Sequence, residues 1–248
     1  SIYIEILKDN NENSFVRKKL AEVNKKKEEY LMAYNEYMTL FLADTTNSYY
    51  AKQLGFCASK VDSLWLAIDY YSKAVSLDPY DESSRINYCK LLLKRKYTSP
   101  ALFVVDEGLL LNESRTGLLN LKAEILYRQK NYSDAIILFE QVEANSRNDF
   151  SFYKMYGFAL YFEEQNKKAV LILEKAYDLK ANDSGLLYVL GIVYSKVGDF
   201  ERSEQFLNLA IETSHQERIS EYYKQLADIQ GLQRKIGEHD KATKRNRH

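Results

Sequence analysis

Few side chains in this 248-residue chain have the types and spacing needed for covalent or acid–base chemistry. The three histidines, His215, His239 and His248, all lie near the C-terminal end. None stands near a cysteine or a carboxylate arrangement that would suggest a triad or a metal site. Cys57 and Cys89 are the only cysteines. Two are too few for a disulfide framework or a zinc site, and a free cysteine is usually a small buried hydrophobe. Glu28-Glu29 and Glu163-Glu164 are adjacent pairs. Neighbours on a helix point about 100° apart, so they are poor acid–base partners. No glycine-rich phosphate loop follows a strand pattern. The expectation is a protein that is not an enzyme, with no catalytic residue, no metal ligand and no cofactor.

What remains is binding chemistry, carried by aromatic rings and cations. There are 21 Tyr and 11 Phe, and the 35 basic residues balance the 35 acidic ones. A net charge of zero argues against a protein devoted to phosphate backbones. A hydrophobic fraction of 46% excludes a disordered chain. No apolar run reaches the length needed to cross a bilayer. Cytoplasm is the expected compartment. The chain begins with Ser1 rather than Met, so a periplasmic or membrane-tethered protein is the alternative, should an N-terminal segment have been removed.

The elements that would position these groups are helices, because the chain has only 9 Gly and 2 Pro. They recur. Ala67, Tyr71, Ala74 and Pro79 form one unit of a pattern. Steps of 34 from Ala67 reach Ala101, Ala135, Ala169 and Ser203. The same step from Ala74 reaches Gly108, Val142, Ala176 and Ala210, and from Gly55 it reaches Cys89, Ala123, Gly157 and Gly191. Only Val142 breaks the row of small residues. Two antiparallel helices approach closely only where side chains are small. Tyr71, Val105, Phe139, Leu173 and Leu207 supply the large partners. Asp78-Pro79 ends one second helix, Ser99-Pro100 offers an N-cap with Pro in the first turn, and Gly198-Asp199 separates the last pair.

This register resembles the tetratricopeptide repeat, whose period is 34. The resemblance covers residues 48–217 as five repeats: 48–81, 82–115, 116–149, 150–183 and 184–217. It departs from the family pattern at Lys122, where Leu is usual, and in lacking the Trp of the first helix, since Trp65 lies elsewhere. It implies an all-α fold, a right-handed α-solenoid of helix–turn–helix units. Ile219, Tyr223, Leu226, Ile229, Leu232 and Ile236 form one helical stripe. This predicts a C-terminal capping helix over 218–236, which a solenoid needs to cover its last core face. Residues 237–248 read as a disordered basic tail and 1–13 as an N-terminal tail or short strand. Residues 14–47 read either as one long helix or as a degenerate repeat.

The resemblance also implies where function lives: first helices line a concave groove that takes a partner's peptide or helix. By register, the groove positions include Lys52, Phe56, Asn87, Lys90, Lys94, Tyr127 and Arg128, then Lys154, Met155, Phe158, Tyr161, Phe162, Tyr188 and Ile192. The early set is cationic and the late set aromatic and aliphatic. Cations steer, while aromatics and Met supply contact energy. The expected partner is therefore a protein segment with an acidic part and an apolar part, the latter on Phe158, Tyr161, Phe162 and Tyr188. The carboxylate clamp of heat-shock co-chaperones is excluded. Lys52 and Asn87 match it, but Phe56, Gly117 and Leu121 do not. The expected role is an interaction scaffold or adaptor that aids complex assembly. A chaperone or escort for a secreted or membrane client, and a self-assembling oligomer, are the alternatives. A small-molecule substrate is not expected, and RNA is disfavoured by the 34-residue period and the apolar late groove.

Overall fold

The computed structural model describes residues 2–9, 13–112, 115–145, 149–214 and 219–245. The described residues form helices and connecting turns, with no strand. Helix α1 spans Ile2–Asp9. Six hairpins follow: α2 and α3 (Ser14–Lys26, Tyr30–Ala43), α4 and α5 (Ser48–Lys60, Leu64–Leu77), α6 and α7 (Glu82–Lys94, Thr98–Leu111). Next come α8 and α9 (Thr116–Arg128, Tyr132–Val142), α10 and α11 (Phe150–Phe162, Asn166–Leu179), and α12 and α13 (Ser184–Lys196, Phe200–Thr213). Helix α14 spans Ile219–Arg245. First helices begin at 14, 48, 82, 116, 150 and 184, and second helices at 30, 64, 98, 132, 166 and 200. Both rows advance by 34 at every step. The all-α fold of tandem helix–turn–helix units expected from the sequence is therefore present.

Two local devices enforce this register. At the end of each first helix one residue adopts the left-handed conformation: Glu28, Asp62, Lys96, Lys130, Glu164 and Gly198. The next N–H then bonds back into the helix, as in Glu29 N to Asn24 O, Tyr97 N to Leu92 O and Asp199 N to Tyr194 O, each 2.9 Å. This is the Schellman closure, which satisfies otherwise orphaned carbonyls. Only Gly198 adopts that conformation without Cβ strain. Replacing Lys130 or Glu164 by Gly is expected to stabilise the protein by about 1 kcal/mol each, read as a rise in Tm. An unchanged or lower Tm would count against strain at these turns.

The second device is an N-cap row. Asn13, Asn47, Asp81, Asp149 and Asp183 precede five of the first helices, and each side chain accepts from a backbone N–H of the first turn. Asp81 and Asp183 do more. Lys52 bonds Asp81 at 2.9 Å and Lys154 bonds Asp183 at 2.7 Å, so each cap is tied to the preceding hairpin. Burial pushes the Asp81 carboxyl up, but the hydrogen bonds from Lys52, Ser84 and Ser83 outweigh it and hold the group down to about 2. Its folded value lies below the usual value of about 3.9, so its stabilisation is present above that pH and is lost as pH falls through about 2. Asp81→Asn is expected to be less stable than the wild type in urea at about pH 5, and to converge with it near pH 2. A gap independent of pH would contradict this.

The chain divides into two compact units, Ser1–Lys122 and Ala123–His248, with the boundary inside α8. In the first, Ala21, Ala33, Tyr37, Leu40, Phe41, Ala51, Leu54, Cys57, Tyr70 and Ala74 form one buried core. In the second, Phe139 stacks on Tyr156 at 5.5 Å, and α14 lays Leu226 and Ile229 against Leu207. Small residues stand where hairpins close. A Cβ added at Gly55 would lie 2.8 Å from the Tyr71 ring, and one at Gly191 would lie 2.7 Å from Leu207.

Three expectations are corrected and one open choice is decided. Residues 2–9 are not a loose tail or strand: they form α1, which docks on α2 and gains from packing the stability that an eight-residue helix lacks alone. Of the two readings of residues 14–47, the helix pair is the one present, because Glu28 turns the chain between α2 and α3. Helix α14 does not stop at 236 but runs to Arg245, since 237–245 contains no Pro to end it; the remainder of the expected tail, 246–248, lies outside the described residues. Ser99 is not a cap: it lies in the first turn of α7, whose N-cap is Tyr97.

Candidate functional site

Cys57 and Cys89 are buried and free. Burial pushes the Cys57 thiol up to about 11 against a small opposing pull from Lys25, and the Cys89 thiol up to about 12 against Arg85. Neither is a thiolate at neutral pH. Among the described residues no group of three or more His, Cys, Asp or Glu is placed to hold a metal ion. His215 and His248 lie outside the described residues, and the side chain of His239 is likewise not described.

In the first unit, the sequence-chosen cations separate into paired and unpaired. Lys52 holds the Asp81 cap, and Lys94 lies 3.7 Å from Asp62 with both side chains exposed. Lys90 is exposed and Asn87 half-buried. Phe56 is half-buried and meets Tyr30 edge to face at 5.9 Å. Lys25 and Lys60 both approach its ring, at 5.6 and 5.5 Å. Lys60 is a groove position by register, but the sequence-chosen site contained neither Tyr30 nor Lys25. Tyr30 opens a second helix, and only the packing of the next hairpin's α4 on α3 brings it against Phe56.

In the second unit, aromatic rings from successive helices form a continuous run. Tyr127 meets Tyr132 at 5.6 Å, Tyr132 stacks on Phe162 at 4.6 Å, and Phe162 touches Tyr161 at 5.3 Å. Lys196 caps the Tyr161 ring at 5.1 Å, and Lys154 lies 5.6 Å over Phe158 while bonding Asp183. Phe162 is 49% exposed, and Met155, Phe158, Tyr161 and Ile192 are half-buried. Arg128 is paired with Glu124 at 2.7 Å. Tyr188 belongs to a different environment. It stacks on Tyr222 of α14 at 4.4 Å, and its hydroxyl donates to Glu221 at 3.3 Å. Burial and the Glu221 charge push that hydroxyl up to about 12. The C-terminal helix therefore covers Tyr188 and leaves the α10 aromatics uncovered by such a stack.

Residues 184–214, the α12–α13 hairpin, match the sequence profile described as "Tetratricopeptide repeat". No curated protein matches the chain. Solved structures do. YrrB, described as a TPR protein with an unusual peptide-binding site, superposes with a TM-score of 0.65 at 15% identity, covering 77% of this chain and 98% of that one. A tetratricopeptide repeat protein from Parabacteroides merdae gives 0.61 at 14% identity, covering 91% and 90%. MamA from Desulfovibrio magneticus RS-1 gives 0.59 at 20% identity, covering 67% and 94%. The chain is a helical-repeat protein with the tetratricopeptide fold. Among the described residues no helix is long and apolar enough to cross a membrane.

Proposed function

We propose that the protein is a non-enzymatic interaction scaffold that seats a segment of a partner protein on the first-helix side of its repeats. The observation that carries this is the α10 aromatic cluster. Met155, Phe158, Tyr161 and Phe162 sit on one helix, Phe162 exposed and the other three half-buried, flanked by Lys154 and Lys196. Partly exposed aromatics held rigid by neighbouring rings are the typical anchors of protein interfaces. A fold whose solved relative YrrB is described as having a peptide-binding site supports the same reading. The partner segment places its apolar side chains on Phe158, Tyr161 and Phe162, and its acidic part toward lysines. Tyr188 takes no direct part while α14 is docked on it.

The test is affinity capture from the native cell, wild type beside Phe158→Ala/Tyr161→Ala, with helicity checked by circular dichroism. Loss of two aromatic anchors is expected to weaken a true partner about 30-fold or more. Partners retained equally by a folded variant would refute the α10 site.

A further inference from the structure

We propose that the first unit carries a subsite for an acidic segment, centred on the Phe56 ring between Lys25 and Lys60. This rests on the scaffold reading above and supplies the chemistry of one of its subsites. The observation is a charge left without its counterpart. Lys25 Nζ lies 5.6 Å and Lys60 Nζ 5.5 Å from the centre of one ring, and Lys60 also lies 5.9 Å from that of Tyr30. Among the described residues neither ammonium makes an ion pair. Lys25 donates only to the amide oxygen of Gln53, at 2.6 Å, and Glu28 and Glu29 in the adjoining turn pair with neither lysine. Lys90, which holds the Phe56 register position in the next repeat, is exposed and likewise makes no ion pair among the described residues.

Several other lysines of this unit carry counter-charges, whereas Lys18 over Tyr49 and Arg95 over Trp65 make no ion pair among the described residues. Lys19 pairs with Glu22, Lys52 with Asp81, Lys73 with Asp69, and Lys122 with Asp106. Like charges drawn to one ring repel, and a carboxylate between them would relieve that. The side chain that Lys25 does meet, Gln53, is 8% exposed and neutral. The missing negative charge is thus one a ligand can bring. Asp or Glu side chains of a bound segment would supply it to Lys25 and Lys60, with a neighbouring apolar side chain against the Tyr30–Phe56 pair. A chain-terminal carboxylate is not required, because Phe56, Gly117 and Leu121 stand where a terminal clamp would need polar groups.

A random-peptide display library selected on the full chain tests this, with Lys60→Gln, Gln53→Glu and Phe158→Ala/Tyr161→Ala in parallel. Gln53→Glu removes no lysine and supplies an internal carboxylate, so it competes with a ligand without deleting its contacts. Lys60 is exposed, so Lys60→Gln leaves the fold intact. Wild type is expected to enrich peptides with Asp or Glu beside apolar residues. Their affinity is expected to fall about tenfold in both single variants and to weaken with added salt. The proposal is overturned by an enriched set without acidic excess, by undiminished binding to Lys60→Gln and Gln53→Glu, or by Lys60-dependent binding seen only for a uridine oligonucleotide. Peptides lost on Phe158→Ala/Tyr161→Ala but not on the other variants would sink this subsite and leave the scaffold reading standing. A library that enriches nothing would sink both.

Discussion

Arg85→Ala is expected to lower the unfolding free energy by about 3 kcal/mol. The Arg85 side chain is 3% exposed. Its Nη1 donates to the Val104 carbonyl at 2.8 Å and its Nη2 to the Pro79 carbonyl at 3.2 Å. Glu107 Oε2 lies 3.7 Å away and supplies the counter-charge from the surface. One side chain thus ties α6 to the backbone of α7 and to the turn that precedes α6. Truncation leaves two carbonyls without that donor and a void beside Gly108, whose missing Cβ would lie 2.4 Å from Arg85 Cδ. Arg85→Met fills the void without restoring the donors, so it is expected to recover only part of the loss. Equilibrium urea unfolding checks both. A loss below about 1 kcal/mol for Arg85→Ala would mean that the guanidinium merely fills space.

A second effect of the same size is expected at Gly157. A Cβ there would lie 2.3 Å from Leu173 Cδ2, 2.6 Å from Cγ and 3.4 Å from the Leu173 backbone nitrogen. The side-chain contacts can yield by a rotamer change, but the nearby backbone means a larger residue must separate α10 from α11. Gly157→Val is expected to cost about 3 kcal/mol. Gly157→Ala is expected to cost about 1 kcal/mol, because overpacking is partly offset by the better helix propensity of Ala. Leu173→Ala in the Gly157→Val background should recover part of the loss, giving a coupling of about 1 kcal/mol or more in a double-mutant cycle. Strict additivity would show that the two helices do not meet there as described.

The fold is legible in the sequence where packing dictates residue size. Gly55, Gly157 and Gly191 are small because Tyr71, Leu173 and Leu207 lie against them, so a constant step of 34 reports the helix contacts directly. Two further rows keep the same step. The Asn and Asp caps at 13, 47, 81, 149 and 183, a row interrupted by Arg115, are visible as residue types, although the small-residue pattern does not point to them. The left-handed turn positions are hidden, because Glu28, Asp62, Lys96, Lys130 and Glu164 have no shared chemistry, and only Gly198 signals the conformation. The site is legible as a set of positions but not as a set of free groups. Whether Lys52 or Lys154 is available depends on Asp81 and Asp183, which reach them only after the next hairpin stacks. Tyr188 likewise can be placed on a first helix from its register, while its cover by Tyr222 depends on how α14 folds back.

A photo-crosslinking amino acid placed at Phe158, and separately at Ile137, decides whether a partner segment lies on the α10 aromatic face. Ile137 is 55% exposed on the second helix of the preceding hairpin, outside the α10 cluster. With the partner seated on α10, position 158 is expected to form a covalent adduct with the captured protein and position 137 none. An adduct from 137 with none from 158 would place the partner on the second helices and contradict the proposed binding face.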